Sequence, residues 1–269
     1  MNEIALITGA SGGIGYQIAL LFAQKNIPLL LVARNEARLR QLKTELEKAN
    51  GTAVYYVAAD LSTSEGVAEL LQYVHANQLH VTYLVNNAGF GDYGPFVERS
   101  MEKYAEMLQL NIVSLTELTH HFARSMVQRG KGRILNVAST AGLQPDPYFA
   151  VYGATKAYVI SLTEALHKEL EHTGVTTTVL SPGPTQTEFM ARADMAEAKL
   201  YAAGVMTAAE VAHIGFRGMM AGKLHVIPGL KNRIMGFFSS ITPPGHLRLA
   251  VAASIMGKKN GSHATPAVH

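Results

Sequence analysis

Two side chains four residues apart in this sequence are suited to acid–base chemistry. The segment Tyr152-Gly153-Ala154-Thr155-Lys156 begins a helical pattern, so Tyr152 and Lys156 are expected on the same helix face. A free tyrosine has a pKa of about 10, and a nearby ammonium favours the phenolate and brings that pKa closer to neutrality. Tyr152 can then give a proton to an alcohol oxygen or take one from it. The pair is a weak indication by itself, because Tyr–Lys pairs on helix surfaces are common.

A glycine-rich segment, Thr8-Gly9-Ala10-Ser11-Gly12-Gly13-Ile14-Gly15, lies between the first strand-like run and the first helical pattern. Missing side chains there let backbone N–H groups approach a pyrophosphate at the helix N-terminus. Gly9, Ser11 and Gly13 also match G-x-S-x-G, the nucleophile elbow of hydrolases. An elbow serine belongs on a central strand, with an acid and a histidine following, whereas Ser11 follows the very first strand. Phosphate binding is therefore favoured over a hydrolase and over a glycine turn without a ligand.

The residues that follow the second strand bear on the choice of nicotinamide cofactor. NAD-binding sheets place an acidic residue at that strand end to bind the ribose 2′-hydroxyl, but this sequence has Val32-Ala33-Arg34-Asn35. The Arg34 guanidinium can hold a 2′-phosphate through charge-assisted hydrogen bonds, and no carboxylate repels it. The alternative, a solvated arginine in the first turn of a helix running to Asn50, is the commoner fate of a surface arginine. The position of Arg34 favours NADP(H) over NAD(H).

The elements that must position these residues alternate between short β-rich runs and longer helical patterns. Runs such as 28–33 are apolar throughout, as expected of strands buried on both faces. The alternation predicts βαβ units in an α/β fold, with a mostly parallel sheet covered by helices on both faces. We predict one domain over 1–229, an amphipathic C-terminal extension over 230–257 and a disordered tail over 258–269. The strands are expected at 3–8, 28–33, 53–58, 82–85, 132–138, 175–180 and 224–227.

Composition limits the class of protein. The chain has 269 residues, 48% of them hydrophobic and 16% charged, which is enough to bury the core of one large domain. Its net charge of +3 comes from dispersed basic residues, so a small anionic cofactor accounts for the surplus better than a nucleic acid does. The chain has no cysteine and its histidines lack metal-ligand spacing, so we predict no metal. The apolar strand starting at Glu3 leaves no room for a leader peptide, which predicts a cytoplasmic protein.

Several further motifs lie in order along the chain. Together with the first ones they are Thr8-Gly9-x-x-x-Gly13-Ile14-Gly15, Asp60, Asn86-Asn87-Ala88-Gly89, Asn111, Ser139, Tyr152-x-x-x-Lys156 and Pro182-Gly183-x-x-x-Thr187. Each is modest, but their order and spacing jointly resemble the short-chain dehydrogenase/reductase family over roughly residues 3–229. The resemblance implies a doubly wound Rossmann fold with a seven-stranded, mostly parallel sheet. It also implies an NAD(P)-dependent oxidoreductase acting on alcohol and carbonyl groups.

The resemblance implies a catalytic group of four residues, namely Asn111, Ser139, Tyr152 and Lys156. Ser139 would orient the substrate oxygen, while Asn111 would anchor a water that relays protons to Lys156. Lys156 would also hold the nicotinamide ribose. Because Ser139 follows the apolar run 133–138, it is expected at the carboxyl end of a strand, where α/β sheets bind ligands.

The resemblance also implies the cofactor site. Asp60 and Leu61 would flank the adenine, and Thr187 would contact the nicotinamide carboxamide. Some NADP-preferring relatives carry an extra basic residue in the glycine loop where this chain has Ser11-Gly12, so Arg34 must supply most of the 2′-phosphate discrimination. The full predicted set is Gly9, Ser11, Gly13, Ile14, Gly15, Arg34, Asp60, Leu61, Asn87, Ala88, Gly89, Tyr152, Lys156, Pro182, Gly183 and Thr187.

An apolar substrate is expected from side chains outside the motifs. The helix-prone stretch 189–201, with flexible Met side chains and a possible hinge at Gly204, lies where the family has its substrate lid. Further walls are expected from Tyr93, Pro95, Phe96 and Phe149. We therefore predict NADPH-dependent reduction of an apolar carbonyl compound, or oxidation of the corresponding alcohol. The main alternative is a non-catalytic cofactor-binding regulator on the same fold, and the lesser one is a hydrolase using Ser11.

Self-association and the C-terminal extension complete the predictions. In the family, helices corresponding to 101–129 and 150–173 commonly build an oligomer, so the resemblance implies a homodimer or homotetramer. In the extension, apolar residues recur at helical spacing, and they are Leu230, Ile234, Phe238 and Ile241. Such a face needs a partner, and we favour packing against the domain or a neighbouring subunit over docking on an anionic membrane.

Overall fold

Seven parallel strands form the central sheet of the computed structural model, which describes residues 3–187, 189, 193 and 205–241. The strands are β1 (Glu3–Thr8), β2 (Leu29–Ala33), β3 (Val54–Ala58), β4 (His80–Asn86), β5 (Gly132–Val137), β6 (Val175–Leu180) and β9 (His225–Val226). Along the chain between β6 and β9, two further strands, β7 (Thr185–Gln186) and β8 (Met206–Thr207), pair with each other as a separate short parallel sheet. The seven strands overlap the seven predicted runs, with ends that differ by at most two residues.

Helices connect the strands and cover the sheet. They are α1 (Gly13–Ala23), α2 (Glu36–Asn50), α3 (Ser64–Ala76), α4 (Met101–Leu108), α5 (Leu115–Gln128), α6 (Ala150–Glu169), α7 (Ala208–Met220) and α8 (Leu230–Ile241). A π-helical turn, Gln109–Ser114, joins α4 to α5, and 3₁₀ turns occupy Phe96–Glu98 and Thr140–Gly142. Side chains cap the start of several helices, because Asn35, Thr63, Ser100 and Thr207 accept hydrogen bonds from first-turn N–H groups.

The strand order creates a crevice at one edge of the sheet. The order is β3-β2-β1-β4-β5-β6-β9, so β1 lies between β2 and β4. In the sheet, β2 and then β3 lie on one side of β1. The later strands, β4, β5, β6 and β9, follow one another on its other side. The loops that follow β1 and β4 therefore diverge at the carboxyl edge, which is where open α/β sheets bind ligands.

Buried side chains form a core on each face of the sheet. In β1, Ile7 packs with residues of α1 and α7 on one face. Its neighbour Leu6 packs with residues of α3 and α5 on the other face. In β2, Leu31 and Leu30 divide between the two cores in the same way. Because both faces are covered, β2 is apolar at every position, and the predicted doubly wound fold with helices on both faces is confirmed.

The C-terminal helix α8, predicted to begin a separate extension, lies at the carboxyl edge of the sheet. Asn232 and Gly236, one turn apart, face the cavity described below. Leu230 and Ile234, on the face predicted to be covered, are 71% and 49% exposed, so packing against the domain is not seen at these two residues. The rest of the predicted extension and the predicted tail, 242–269, lie outside the described residues. Within the described ranges, none of the helices combines the length and apolarity needed to span a bilayer.

Candidate functional site

A cavity of about 370 Å³ lies along the carboxyl edge of the sheet, where β1 and β4 diverge. Its walls come from the segments that follow the first six strands, together with α6 and α8. Of the predicted site residues, Gly15 and Asn111 do not line it. The predicted residues that do are Gly9, Ser11, Gly13, Ile14, Arg34, Asp60, Leu61, Asn87, Ala88, Gly89, Ser139, Tyr152, Lys156, Pro182, Gly183 and Thr187.

The glycine loop between β1 and α1 leaves an open helix N-terminus at the cavity. Gly9 and Gly13 have φ angles of 64° and 54°, in the left-handed region that favours glycine. Gly12 caps α1 without a side-chain hydrogen bond, and no atom lies within 4 Å of where its Cβ would be. The first N–H groups of α1 therefore face open space, which suits the pyrophosphate of a dinucleotide. Gly15, predicted to bind the cofactor, instead permits close packing, because a Cβ there would lie 2.5 Å from the Gly9 carbonyl oxygen.

Hydrogen bonds tie the loop after β1 to the loop after β4. The Thr8 hydroxyl accepts hydrogen bonds of 3.0 Å from the backbone N–H groups of Asn87 and Ala88. It donates to the Val85 carbonyl. In return, the Asn87 side-chain amide donates to the carbonyls of Thr8 and Gly9. These bonds fix the two sides of the crevice relative to each other before any ligand enters.

Arg34 and Asp60 stand at the exposed rim of the cavity, just after β2 and β3. Arg34 Nη1 is 3.8 Å from Asp60 Oδ2, a long ion pair, and 68% of the Arg34 side chain is exposed. Burial raises the pKa of Asp60, but hydrogen bonds from Ser62 and the charge of Arg34 bring it below its usual value. Asp60 is therefore an anion at neutral pH. Because Arg34 is held only loosely, its guanidinium is accessible to a phosphate.

Tyr152 and Lys156 lie one turn apart on α6, as predicted, and both are buried beside the cavity. Lys156 Nζ donates a 2.9 Å hydrogen bond to the Val137 carbonyl and lies 5.6 Å from the centroid of the Tyr152 ring. Burial lowers the pKa of Lys156 to about 8. The lysine is therefore mostly an ammonium at neutral pH, and a cation beside the phenol favours the phenolate. That is the condition under which Tyr152 can exchange a proton near neutrality.

Ser139 lies at the carboxyl end of β5, as expected from the sequence. It caps the turn Thr140–Gly142, its Oγ accepts a 3.1 Å hydrogen bond from the Ala141 N–H, and it lines the cavity. No oxygen within the described residues accepts its hydroxyl hydrogen. That hydrogen is available to an oxygen atom in the cavity.

Asn111 belongs to the π-helical turn Gln109–Ser114, where the sequence predicted a regular helix, and it is fully buried. Its Oδ1 accepts a 3.2 Å hydrogen bond from the Phe90 N–H, and its Nδ2 donates to the Phe90 carbonyl at 3.0 Å. A Cβ on Gly89 would lie 2.9 Å from Asn111 Oδ1 and 3.4 Å from Lys156 Nζ. The Asn111 oxygen and the Lys156 ammonium therefore border the same glycine, although Asn111 does not reach the cavity wall.

The end of the cavity beyond Tyr152 has aromatic walls. Phe149 stacks on Tyr152 with 4.3 Å between ring centroids, and Phe189 lies 5.4 Å from the same ring. Of the four predicted wall residues, only Phe149 lines the cavity. Tyr93 packs behind Phe149 at 6.2 Å, and Phe96 is 60% exposed. In the predicted lid, the structure describes Phe189 and Ala193, and the other positions, with Gly204, lie outside the described residues.

An ion-pair cluster explains why the predicted walls at Pro95 and Phe96 are wrong. The fully buried side chain of Asp92 pairs with Arg99 and Lys103. Burial raises the pKa of Asp92, but these two cations bring it below its usual value. The cluster draws the loop against α4, where Phe96 stacks on Tyr104 at 5.5 Å. Pro95 and Phe96 are therefore turned away from the cavity.

Asp146 is a buried carboxylate at the aromatic end of the cavity, and no sequence motif contains it. Only 8% of the residue is exposed, and it lines the cavity. Its Oδ1 accepts one 3.3 Å hydrogen bond from Gln144 Nε2, and no other described side chain pairs with it. Burial raises the pKa of Asp146 to about 6, against the opposing effect of the Gln144 bond. An ionised carboxylate with so few partners destabilises the fold above that pH.

We expect Asp146→Asn to stabilise the protein at neutral pH. The carboxyl has a pKa of about 6 in the fold against about 3.9 in an unfolded chain. The folded state therefore holds this proton more tightly than the unfolded chain does. As pH rises between these two pKa values, the free energy of unfolding falls by at most about 3 kcal/mol. The Tm of Asp146→Asn should exceed that of the wild type clearly at about pH 7.5 and by much less at about pH 4. The same Tm difference at both pH values would contradict this account, with the exposed-site variant Glu98→Gln as control.

Asn232 of α8 closes the cavity over the Pro182–Gly183 turn. A Cβ on Gly183 would lie 2.5 Å from Asn232 Nδ2, so this approach requires glycine. Asn232 Nδ2 also donates a 2.7 Å hydrogen bond to the Pro228 carbonyl, which fixes the first turn of the helix. The sequence offers no indication of this contact, because Asn232 belongs to no motif and follows the predicted domain boundary at Gly229.

Ser181, His225 and Glu164 form a chain of polar contacts next to the Pro182–Gly183 turn. His225 Nε2 is 2.8 Å from Ser181 Oγ, and His225 Nδ1 is 2.9 Å from Glu164 Oε1. Ser181 is fully buried, so no ester can reach it, and the three side chains hold the turn in place instead. Ser11, the serine of the hydrolase alternative, contacts no histidine in the part of the chain that the structure describes. The geometry therefore gives no support to a hydrolase.

Known proteins similar to this chain share one chemistry. A family model described as short chain dehydrogenase matches residues 3–198. An uncharacterized oxidoreductase of Staphylococcus epidermidis is 33% identical over 198 residues, 74% of this chain and 84% of that protein. The structure of a short-chain dehydrogenase from Sphingobium yanoikuyae in complex with NADPH is 32% identical, with a TM-score of 0.78 over 89% of this chain and 96% of that one. A bulky-bulky ketone specific alcohol dehydrogenase from Comamonas testosteroni is 29% identical, with a TM-score of 0.75 over 90% and 96%.

Proposed function

The chain belongs to the short-chain dehydrogenase family and is an NAD(P)-dependent oxidoreductase of CH–OH and C=O groups; from this we propose that it reduces an apolar ketone with NADPH. The observation that carries the proposal is the buried Tyr152–Lys156 pair, which faces the same cavity as Ser139 and the aromatic wall. The reverse oxidation of the alcohol uses the same groups. The NADPH complex of the Sphingobium yanoikuyae relative supports the choice of cofactor.

The cavity fits a dinucleotide along its length. The N-terminus of α1 has no side-chain cap, which suits the pyrophosphate. The space beside Gly12 is open because glycine has no side chain that would occupy it. At the adenosine end, the accessible Arg34 guanidinium supports a preference for a 2′-phosphate, because it can form paired charge-assisted hydrogen bonds. Thr187, near the other end, would contact the nicotinamide carboxamide. When bound, the nicotinamide supplies the hydride.

Each catalytic residue has a distinct task in the proposed reaction. The Ser139 hydroxyl donates a hydrogen bond to the carbonyl oxygen and orients it. Tyr152 gives its phenolic proton to that oxygen as the carbon is reduced. The Lys156 ammonium stabilises the phenolate that remains. Asn111 would hold a water through which the proton of Tyr152 is restored, and the position of its oxygen next to Gly89, near the Lys156 ammonium, supports this role.

The proposal predicts that the purified protein oxidises NADPH only when an apolar ketone is added. Aryl-alkyl ketones suit the walls formed by Phe149 and Phe189, and NADPH should give a higher kcat/KM than NADH. Loss of absorbance of the reduced cofactor, followed with both cofactors in parallel over a panel of ketones and alcohols, measures this directly. A protein that binds NADPH tightly but turns over no member of the panel would be the non-catalytic regulator instead.

The proposed enzyme is a cytoplasmic homodimer or homotetramer. Exposed apolar side chains on the helices that the family uses for self-association support the oligomer. They are Met101 and Leu108 on α4, Val113 on the π-helical turn and Tyr158 on α6. Burying these side chains against a second copy would remove apolar surface from water, which favours association.

A further inference from the structure

We propose that Asp146 is a substrate-positioning residue that binds a hydrogen-bond donor, either a hydroxyl or an ammonium group, on a part of the substrate other than the reacting carbonyl. The proposal rests on the proposed function, because it takes the Tyr152 end of the cavity as the place of reaction. It adds the substrate class, which is an apolar ketone that carries a second, donating polar group. No motif of the sequence contains Asp146.

Within the part of the chain that the structure describes, the hydrogen bonding of Asp146 is incomplete. An ionised carboxylate has two oxygens and several acceptor sites, yet Gln144 Nε2 supplies one bond of 3.3 Å. Asp146 lines the cavity and 8% of the residue is exposed, so a ligand in the cavity can reach acceptor sites of its carboxylate. A substrate that displaces water from this end must replace the hydrogen bonds that the water made. A hydroxyl or ammonium group does so, whereas a hydrocarbon leaves a buried acceptor unpaired.

The loop that carries Asp146 holds the carboxylate in a fixed place. Asp146 stands between two prolines, which fix neighbouring φ angles, and its carbonyl accepts a 3.1 Å hydrogen bond from the Phe149 N–H. Tyr148 has a φ angle of 66°, which is costly for a residue other than glycine. The Gly94 N–H donates to the Tyr148 carbonyl at 2.8 Å and so supports this conformation. Strain held in place by neighbours is typical of binding sites, where a rigid group binds without an ordering cost.

A purely structural role does not account for the contacts of Asp146. Asp92, which has such a role, is paired with both Arg99 and Lys103. Asp146 has no cationic partner among the described residues, and its raised pKa shows that the fold stabilises the carboxylate poorly. Gln144, its one partner, also lines the cavity. A few polar groups among apolar walls are what orients ligands in small-molecule sites.

The test compares matched ketones on the full-length protein in the presence of NADPH. Acetophenone, phenylacetone and benzylacetone are each assayed bare, with a para-hydroxyl group and with a para-aminomethyl group, so that several distances and both donors are sampled. We expect at least one donor-bearing ketone to exceed its bare parent about tenfold or more in kcat/KM, the effect of a charge-assisted hydrogen bond. Calorimetric affinities of the protein loaded with NADP⁺, which has no hydride to transfer, measure the preference for the same ketones without turnover.

Variants separate substrate recognition from general packing. In Asp146→Leu the preference for both donors should disappear. In Asp146→Asn the ammonium preference should disappear and the hydroxyl preference should shrink, because the amide oxygen still accepts but carries no charge. Glu98→Gln, which removes an exposed charge outside the cavity lining, should keep the wild-type ratio.

Two outcomes overturn the proposal. One is equal affinity and equal kcat/KM for bare and donor-bearing ligands in the wild type. The other is a wild-type preference that survives in Asp146→Leu. Absence of NADPH turnover with every ketone would instead count against the proposed function, while the calorimetric preference would still decide the role of Asp146.

Discussion

Replacing Tyr152 by Phe is expected to lower kcat by about 100-fold or more while NADPH binding stays nearly intact. The substitution removes one oxygen and keeps the ring that stacks on Phe149 at 4.3 Å. The lost group is the proposed proton donor, and general acid–base groups contribute about 100- to 10,000-fold. Because hydride transfer to a carbonyl without a proton leaves an unstabilised alkoxide, kcat should fall much more than affinity.

A second tyrosine on the same helix, six residues further along, supplies a matched control. The Tyr158 hydroxyl lies 3.0 Å from Thr116 Oγ1 on the exposed side of α6 and does not line the cavity. Tyr158→Phe should therefore keep wild-type kcat with a small change in Tm. NADPH affinity, measured by quenching or transfer of cofactor fluorescence, should be similar in all three proteins. Retention of more than about a tenth of kcat in Tyr152→Phe would remove Tyr152 from the proposed role.

The sequence predicts the fold well because burial leaves a pattern in each strand. β2 is apolar at every position, as expected of a strand covered on both faces, and both β1 and β6 have the bounds predicted from the sequence. The position of most site residues follows from the same cause. Thr8 is the last residue of β1, and Ser139 and the Pro182–Gly183 turn closely follow β5 and β6. Parallel strands bring their carboxyl ends to one edge. Spacing along α6 likewise places Tyr152 and Lys156 together.

What the sequence does not predict depends on contacts between distant segments. Asn232 meets Gly183 across the cavity, and nothing local to either residue indicates that contact. The π-helical turn at Asn111 uses a hydrogen-bond pattern that leaves no mark on composition. Phe96 is an apolar residue near the predicted site, and its outward position goes with the pairing of Asp92 with Arg99 and Lys103, which no sequence pattern indicates. These features come from tertiary packing, whereas periodicity and motif spacing report local structure.

The preference between the two nicotinamide cofactors depends on a few atoms at the end of β2. Ala33 is the last residue of that strand and lines the cavity, so a side chain added there points toward the adenosine end. Arg34 follows it, and among the described residues its side chain pairs only with Asp60, at 3.8 Å. Little rearrangement is therefore needed for Arg34 to bind a 2′-phosphate. Replacing the exposed Arg34 should disturb the fold little, whereas Ala33 is half-buried and packs at the edge of the core as well as lining the cavity.

The double variant Ala33→Asp, Arg34→Ala is expected to shift the ratio of kcat/KM for NADPH to that for NADH by about 100-fold toward NADH. Losing Arg34 removes charge-assisted hydrogen bonds worth about 1.5–3 kcal/mol each, and the new carboxylate both repels the 2′-phosphate and accepts a hydrogen bond from the ribose 2′-hydroxyl. Arg40→Ala, on the exposed side of α2 and outside the cavity lining, removes the same charge and should leave the ratio unchanged. If the ratio stays the same in the double variant while ketone turnover persists, the 2′-phosphate must be recognised elsewhere in the cavity.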